Sequence, residues 1–338
     1  MASENDELSE RRLPSVRRPR PGSPRPAPQG RHRRPQTRSA LRQALVTALS
    51  FTLLLGVSAG GIALYEYKKL SGQIRHVDAL QTRDPNIKQA AKQVHAVNYL
   101  VIGSDSRAGK NSTAHSVEGE RSDTTILIHL SKNRQHVTVV SIPRVSWVSI
   151  PACTIISRDF GTIGKTLPEH KGQFNSAFSV GGAKCTIATV QKLTGVAVTH
   201  YLKLDFVGFK AVVNALGSVT ICSPQAVEDP NSKLHLVKGE NKLNGVESLS
   251  YVRARETLGD GSDLGRIKRQ QQFLGIVLRK ALSGALLSNP VRLTDFLDAV
   301  TRAITTDPDT NIGDLRTLGS SMGGLDPKHV VFYTAPIA

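Results

Sequence analysis

The stretch Tyr251–Gln271, YVRARETLGDGSDLGRIKRQQ, decides how the rest of the chain is read. Leu249–Val252 reads as a short strand leading into two arginines, Arg253 and Arg255. Residues two apart on a strand share a face, so both guanidinium groups are expected to point at one ligand. A Gly/Asp/Ser loop follows. A helix then opens with Arg266, Lys268, Arg269 and Gln270, and Arg266 and Gln270 share a helical face. An anion between strand end and helix start is gripped from both sides, by forks that donate in pairs and stay charged. The competing reading is a basic surface helix laced with salt bridges.

Outward from this stretch, strands and helices alternate. Val97–Gly103, Thr124–Leu130 and Val137–Ile142 are short apolar runs, the last two joined by a turn at Lys132-Asn133. They read as strands covered on both faces. Phe174–Val180 and Cys185–Leu193 read as helices separated by Gly181-Gly182. Tyr201–Phe206 reads as a strand, Phe209–Ala215 as a helix and Val219–Cys222 as a strand. Ile267–Leu287 and the segment from Asn289-Pro290 to about Ile304 read as helices. The last thirty residues hold two short strands or loops. This alternation indicates an α/β domain with helices on both faces of its sheet.

The 338 residues carry a formal charge of +17, unevenly spread. Residues 1–42 hold eleven arginines against four acids in a Pro-rich context that cannot bury a core, so disorder is expected there. A tail without aromatics or a helix-turn-helix pattern gives no reason to expect nucleic acid. Ala44–Leu64 then runs for 21 residues without a charge, long enough to span a bilayer as an uncleaved helix. Arginines before the span place the N-terminus in the cytoplasm and the chain from about Tyr65 outside. Three cysteines, Cys153, Cys185 and Cys222, fall in that exterior part, which permits one disulfide without saying which.

Four charged clusters stand at expected strand ends, where α/β sites usually lie. They are Gly103-Ser-Asp105-Ser-Arg107, Arg121-Ser-Asp123-Thr124, Ser141-Ile-Pro143-Arg144 and the opening stretch. Asp105 and Asp123 form a hard-oxygen pair suited to Mg²⁺ or Mn²⁺, which takes one or two carboxylates and fills its shell with water and phosphate. Arg107, Arg121, Arg144, Arg253, Arg255 and Arg266 surround that phosphate. No H-E-x-x-H, C-x-x-C or P-loop pattern occurs, which argues against zinc and P-loop nucleotide chemistry. His200, in Thr-His-Tyr, reads as structural.

The segments VNYLVIGSDSR, RSDTTILIHL, SIPRVSWV, FNSAFSVGG, LTGVAVTHYLKLDFVGF and LNGVESLSYVRARETLGDGSDLGRIKRQ stand in order over residues 96–282. Together with the N-terminal anchor they resemble the LytR-CpsA-Psr family of cell-wall ligases. The resemblance implies a central sheet with an apolar pocket for a polyprenyl chain. It implies transfer of a phospho-glycopolymer from a polyprenyl pyrophosphate carrier to a peptidoglycan sugar hydroxyl, with a divalent metal. By position, Asp105 and Asp123 match the metal aspartates. Arg121, Arg144, Arg253, Arg255 and Arg266 match the pyrophosphate arginines, and Gln270 the closing glutamine. Asp263 is placed to accept a proton or orient an arginine. The chain departs from the family's Pro-Arg-Asp motif: Val145 follows Arg144. Ser248-Leu249 replaces a family Ala-Leu.

The expected fold class is therefore α/β, a central mixed sheet flanked by helices on both faces behind one transmembrane helix. The expected organisation is a basic tail at 1–42, an anchor at 43–65, a stalk at 66–95, a catalytic domain at 96–285 and a C-terminal helical extension at 286–338. The expected activity is glycopolymer phosphotransfer at the outer face of the cell membrane, with Arg121, Arg144 and Asp263 as the catalytic set. The alternatives are a pyrophosphatase acting on the same donor and a non-catalytic lipid-pyrophosphate binder.

Overall fold

The computed structural model describes residues 37–81, 84–93, 97–105, 121–255, 257–258, 261–323 and 330–336. Two compact units divide the chain at Gly60/Gly61. The described residues of the first belong to α1 (Thr37–Gln73), which contains one stretch, Leu41–Gln73, long and apolar enough to cross a membrane. Most of the tail expected to be disordered lies outside the described residues, but Thr37–Arg42 are helical.

The second unit follows the expected alternation. After β1 (Arg75–His76) and α2 (Ala90–Gln93) come β2 (Val97–Ser104), β3 (Ser122–Leu130) and β4 (Val137–Ile142). Then follow β5 (Trp147–Ile150), β6 (Cys153–Thr154), β7 (Thr166–Leu167), β8 (His170–Gln173), α3 (Ser176–Thr194), β9 (His200–Asp205) and α4 (Phe206–Ala215). Four short strands, β10 (Val219–Ser223), β11 (Val227–Asp229), β12 (Leu234–Leu236) and β13 (Gly239–Leu243), precede α5 (Gly245–Arg253) and α6 (Asp263–Ala281). The chain closes with α7 (Gly284–Leu287), α8 (Pro290–Ala303), β14 (Ile304–Thr306), α9 (Ile312–Gly323) and β15 (Val330–Thr334).

Among the described residues, the central sheet has seven strands in the order β1-β14-β9-β2-β3-β4-β15. It is mixed: β2 runs parallel to β9 and antiparallel to β3, and β15 runs parallel to β4. Strand alternation divides its side chains between two cores. Leu100, Ile102 and Leu127 pack with Phe178, Val180 and Ile187 of α3 on one face. Tyr99, Ile126 and Ile128 face the other way, towards Leu274 of α6 and Leu318 of α9. The segment expected as a C-terminal extension thus supplies β14 and β15 to the sheet, and the stalk supplies β1.

Two local readings are corrected. Leu249–Val252 is not a strand but the body of α5, because Asn244 and Glu247 form a capping box that starts a helix. Gly245 is required at its first turn, since a Cβ there would lie 2.3 Å from the carbonyl oxygen of Lys210. The helix expected over Ile267–Leu287 starts earlier, at Asp263 behind the Ser262 cap, and ends at Ala281. The helix break at Gly181-Gly182 survives as a kink inside α3. It lets α3 carry Cys185 onto β6, where Cys185 is disulfide-bonded to Cys153. A Cβ on Gly181 would lie 2.7 Å from that of Cys185. Cys222 is exposed and free.

Candidate active site at one end of the central sheet

A cavity of roughly 380 Å³ lies between the sheet and helices α4, α5 and α6. Val101, Ile126, Ile128 and Leu204 form its floor, and Phe209, Val213, Val252 and Phe273 its walls. Charge is confined to Asp123, Arg144, Asp205, Arg253, Arg255 and Arg266. A largely apolar pocket with a cluster of cations suits an amphiphile with an anionic head.

Each charged residue is placed by local structure. The β2–β3 register shifts between Gly103 and Ser104, pairing Gly103 with Thr124 and Ser104 with Ser122. Asp123 is the extra residue of this bulge, the device that commonly re-aims a side chain at a site. Arg144 sits in the turn after β4, closed by the Ser146 N–H on the Pro143 carbonyl at 3.1 Å. Its Nη1 meets Asp123 Oδ1 at 2.5 Å. Arg253 ends α5 and lies over the ring of Phe206, 4.9 Å from its centroid. Ala254 turns the backbone to extended geometry, so Arg255 leaves the helix yet also reaches the cavity. The pair shares a ligand pocket as expected, through a helix end instead of a strand.

Asp263 organises the guanidinium groups from behind. It is the first residue of α6, a favourable place for an acid. Its Oδ1 takes Arg266 Nη2 at 2.8 Å and Arg255 Nη2 at 2.9 Å, with Arg144 Nε at 3.5 Å. Its Oδ2 is buried without a hydrogen-bond partner, as is Nε of Arg266, and Nε of Arg144 has only the 3.5 Å ion pair to Asp263. Arg266 is 5% exposed. Burial, then the charge of Arg144, push its pKa down to about 10, against the pull of Asp263. Among the residues that line the cavity, Arg144, Arg253, Arg255 and Arg266 face Asp123 and Asp205, a surplus of two positive charges that Asp263, off the lining, reduces to one.

Not every expected residue joins. Arg121 is exposed and does not line the cavity; its backbone N–H donates to Asp105 Oδ1 at 2.7 Å. Asp105 is half-buried beside the bulge, also off the lining. Asp263 stands behind the arginines, so it orients them and does not face a reacting hydroxyl. Arg107 lies outside the described residues. Gln270 does line the cavity, and its amide donates to the Val252 carbonyl at 3.2 Å. Arg269, expected on the anion grip, is turned away: it is 7% exposed and donates to the carbonyls of Tyr251, Leu258 and Ala254. It staples the loop between α5 and α6.

Among the described residues no group of three or more His, Cys, Asp or Glu is placed to hold a metal. Asp105, just after β2, and Asp123, at the bulge of β3, are the carboxylates that could hold a hard cation, which takes one or two such ligands. At the same end of the cavity, Nε of Arg266 is buried without a hydrogen-bond partner.

The model of the LytR_cpsA_psr family matches residues 63–338. The chain belongs to the LytR_cpsA_psr family. Among its relatives, the cell wall biosynthesis protein LcpA of Corynebacterium glutamicum is 27% identical over 93% of this chain. The probable cell wall biosynthesis protein LcpB of the same organism is 30% identical over 71%. The chain spans less than two thirds of both, 63% and 54% of their lengths. The polyisoprenyl-teichoic acid–peptidoglycan teichoic acid transferase TagU of Oceanobacillus iheyensis is 28% identical over 80% of this chain and 78% of its own. The LytR-Csp2A-Psr enzyme of Actinomyces oris shares the fold with a TM-score of 0.55, at 22% identity over 78% of this chain and 87% of that one. TagV of B. subtilis does so at 0.53, with 25% identity over 71% and 84%.

Proposed function

We propose that this LytR_cpsA_psr protein is a membrane-anchored phosphotransferase. It moves a glycopolymer phosphate from a polyprenyl pyrophosphate carrier to a sugar hydroxyl of peptidoglycan, outside the membrane. One observation carries this reading: an apolar cavity whose lining sets four arginines against two aspartates. A pyrophosphate diester carries two negative charges and a polyprenyl chain is wholly apolar, so the donor matches both halves. TagU, whose name states such a transfer from a polyisoprenyl carrier to peptidoglycan, supports the class of reaction. The apolar stretch of α1 holds the enzyme at the bilayer that carries such a donor.

In this reading the acceptor hydroxyl oxygen attacks the phosphorus attached to the glycopolymer. The bond from that phosphorus to the bridging oxygen breaks, and polyprenyl phosphate leaves with the electron pair while the hydroxyl proton passes to solvent. Phosphoryl transfer requires positioning and charge neutralisation more than covalent help. Arg144, Arg253, Arg255 and Arg266 bind the non-bridging oxygens, Gln270 lines their pocket, and Asp263 fixes the guanidinium planes. Mg²⁺ or Mn²⁺, held by Asp105 and Asp123, would add further neutralisation of the pyrophosphate. Val145 supplies no carboxylate beside Arg144, so the arginine is oriented by Asp123 and Asp263 instead.

The test uses the full chain in lipid nanodiscs with a labelled polyprenyl-pyrophosphate glycopolymer, Mg²⁺ and peptidoglycan oligomers. Polyprenyl phosphate is expected only when the acceptor is present. Equal release with and without acceptor marks a pyrophosphatase, and no turnover by the folded protein refutes the reading.

A further inference from the structure

Trp147 is the only tryptophan of the chain, and 55% of it is exposed. It lies on the ribbon formed by β5 and β8, three residues beyond Arg144. Along β5 the burial alternates: Val148 and Ile150 enter the core, Trp147 and Ser149 face out. The antiparallel register sets Gln173 beside Trp147 and Lys171 beside Ser149, on the same outer face. Ser149 Oγ donates to Glu169 Oε1 at 2.6 Å, and Lys192 Nζ pairs with the same oxygen at 2.5 Å. An indole plate is thus bordered by an amide, a hydroxyl, a carboxylate and two amines.

We propose that this face binds a glycan and is where the acceptor saccharide rests. The word acceptor depends on the transferase reading; glycan binding does not. A pyranose has an apolar face of C–H groups that packs on an indole, while its equatorial hydroxyls need planar polar side chains at the rim. An aromatic with one stackable face and a polar border meets both needs. A protein partner would favour a larger apolar centre than one indole. The ribbon is also continuous with the cavity mouth. The Phe174 N–H donates to the Ser146 carbonyl at 2.8 Å and the Asn175 N–H to the Arg144 carbonyl at 3.1 Å. The end of β8 therefore fixes both Trp147 and the arginine paired with Asp123. Three residues of chain span at most about 10 Å. A saccharide stacked on Trp147 extends one of its hydroxyls towards the charged mouth.

The single tryptophan makes the test direct. The full chain in nanodiscs is titrated with soluble glycan strands released from peptidoglycan and with a tetrasaccharide of β-1,4-linked N-acetylglucosamine, and indole emission is followed. A saturable change is expected with both sugars and none with stem peptide alone. By calorimetry, Trp147→Ala weakens glycan binding about tenfold. Trp147→Phe keeps most of the affinity, and both variants keep the native melting temperature and affinity for inorganic pyrophosphate. Silent emission at saturating glycan, or a response to the peptide and not to sugar, overturns the proposal. If emission responds and no transfer occurs, the transferase reading falls and the glycan surface stands. If transfer proceeds and Trp147→Ala leaves the KM for glycan unchanged, the glycan surface falls alone.

Discussion

A largely buried carboxylate stands at each end of the central sheet, and the two are partnered in opposite ways. Asp307, just after β14, is fully buried. Its Oδ2 accepts from the Tyr201 N–H at 3.1 Å, Thr310 Oγ1 at 2.8 Å and Thr306 Oγ1 at 3.2 Å. Its Oδ1 lies 3.3 Å from His200 Nδ1, and its carbonyl meets His76 Nδ1 at 2.8 Å. Both carboxylate oxygens are used, and β1, β9 and β14 are tied together. Asp263 loads three guanidinium groups onto one oxygen and leaves the other without a partner. A complete polar network rigidifies a fold, whereas a half-complete one is tolerated where a ligand finishes it. His200, in this light, is the structural residue its sequence context suggests.

The sharpest way to break this contrast is Arg266→Met. If the arginine end exists for a ligand, transfer falls about 10²- to 10³-fold, the scale of losing one preorganised charge donor. The melting temperature holds or rises, because a buried cation beside Arg144 and Arg255 is replaced by an apolar side chain of similar length. Melting curves and turnover on the same preparation check this. A large fall in melting temperature would make the cluster a structural clamp like the one around Asp307.

The converse substitution, Asp307→Ala, is expected to cost about 3 kcal/mol of stability, since it strands the buried Tyr201 N–H and breaks the bonds from Thr310 and His200, although Thr306 Oγ1 keeps the Tyr201 carbonyl. Denaturant titration measures the loss. The KM for donor in the folded fraction should stay within a factor of two of the native value. A donor KM that rises with the loss of stability would mean that the two ends of the sheet are coupled.

The same contrast explains which parts of the molecule were legible in sequence. Strands such as VNYLVIG and TTILIHL announce themselves by apolar runs, and Asp123, Arg144, Arg253, Arg255 and Arg266 do converge on one cavity, whereas Asp105 and Arg121 stay off its lining and Arg107 lies outside the described residues. The family resemblance implies an apolar pocket, but the residues that line the cavity do not spell it. Val101, Ile126 and Ile128 are spelled like core residues, and nothing in their identity says that the facing helices leave a gap. The apolar run Leu249–Val252 reads as a strand leading into Arg253, but Asn244-x-x-Glu247 ahead of it is a capping signal that starts a helix. Arg269 and Arg266 are indistinguishable by type. Three residues separate them, enough to turn one towards backbone carbonyls and the other towards the cavity. The strand β14 and the edge strand β15 are short, and their partners lie a hundred or more residues earlier in the chain. Gln271, an apparent flaw in the apolar stripe of α6, holds that edge by donating to Ser141 Oγ at 2.8 Å and to the Tyr333 carbonyl at 3.1 Å.

The smallest expected effect separates charge from shape at the Asp307 end. Burial pushes the Asp307 pKa up, but the hydrogen bonds from His200, Thr310 and the Tyr201 N–H outweigh it and hold the value down to about 2. A free aspartate titrates near 4. The folded state therefore binds this proton more weakly than the unfolded state does. Its contribution to stability is complete above about pH 5 and is lost as the pH falls from about 4 through about 2. Asp307→Asn keeps the shape and cannot titrate. The stability gap between native chain and variant should thus be widest near neutrality and narrow as the pH falls through that window. Asp229 and Asp298 experience the opposing push of burial and are nonetheless held low by hydrogen bonds, but they are common to both proteins and cancel in the difference. Urea titrations at pH 6, 4 and 3 read the gap. A constant gap would mean that the network is held by geometry alone, and the difference between the two ends of the sheet would then lie in packing and not in charge.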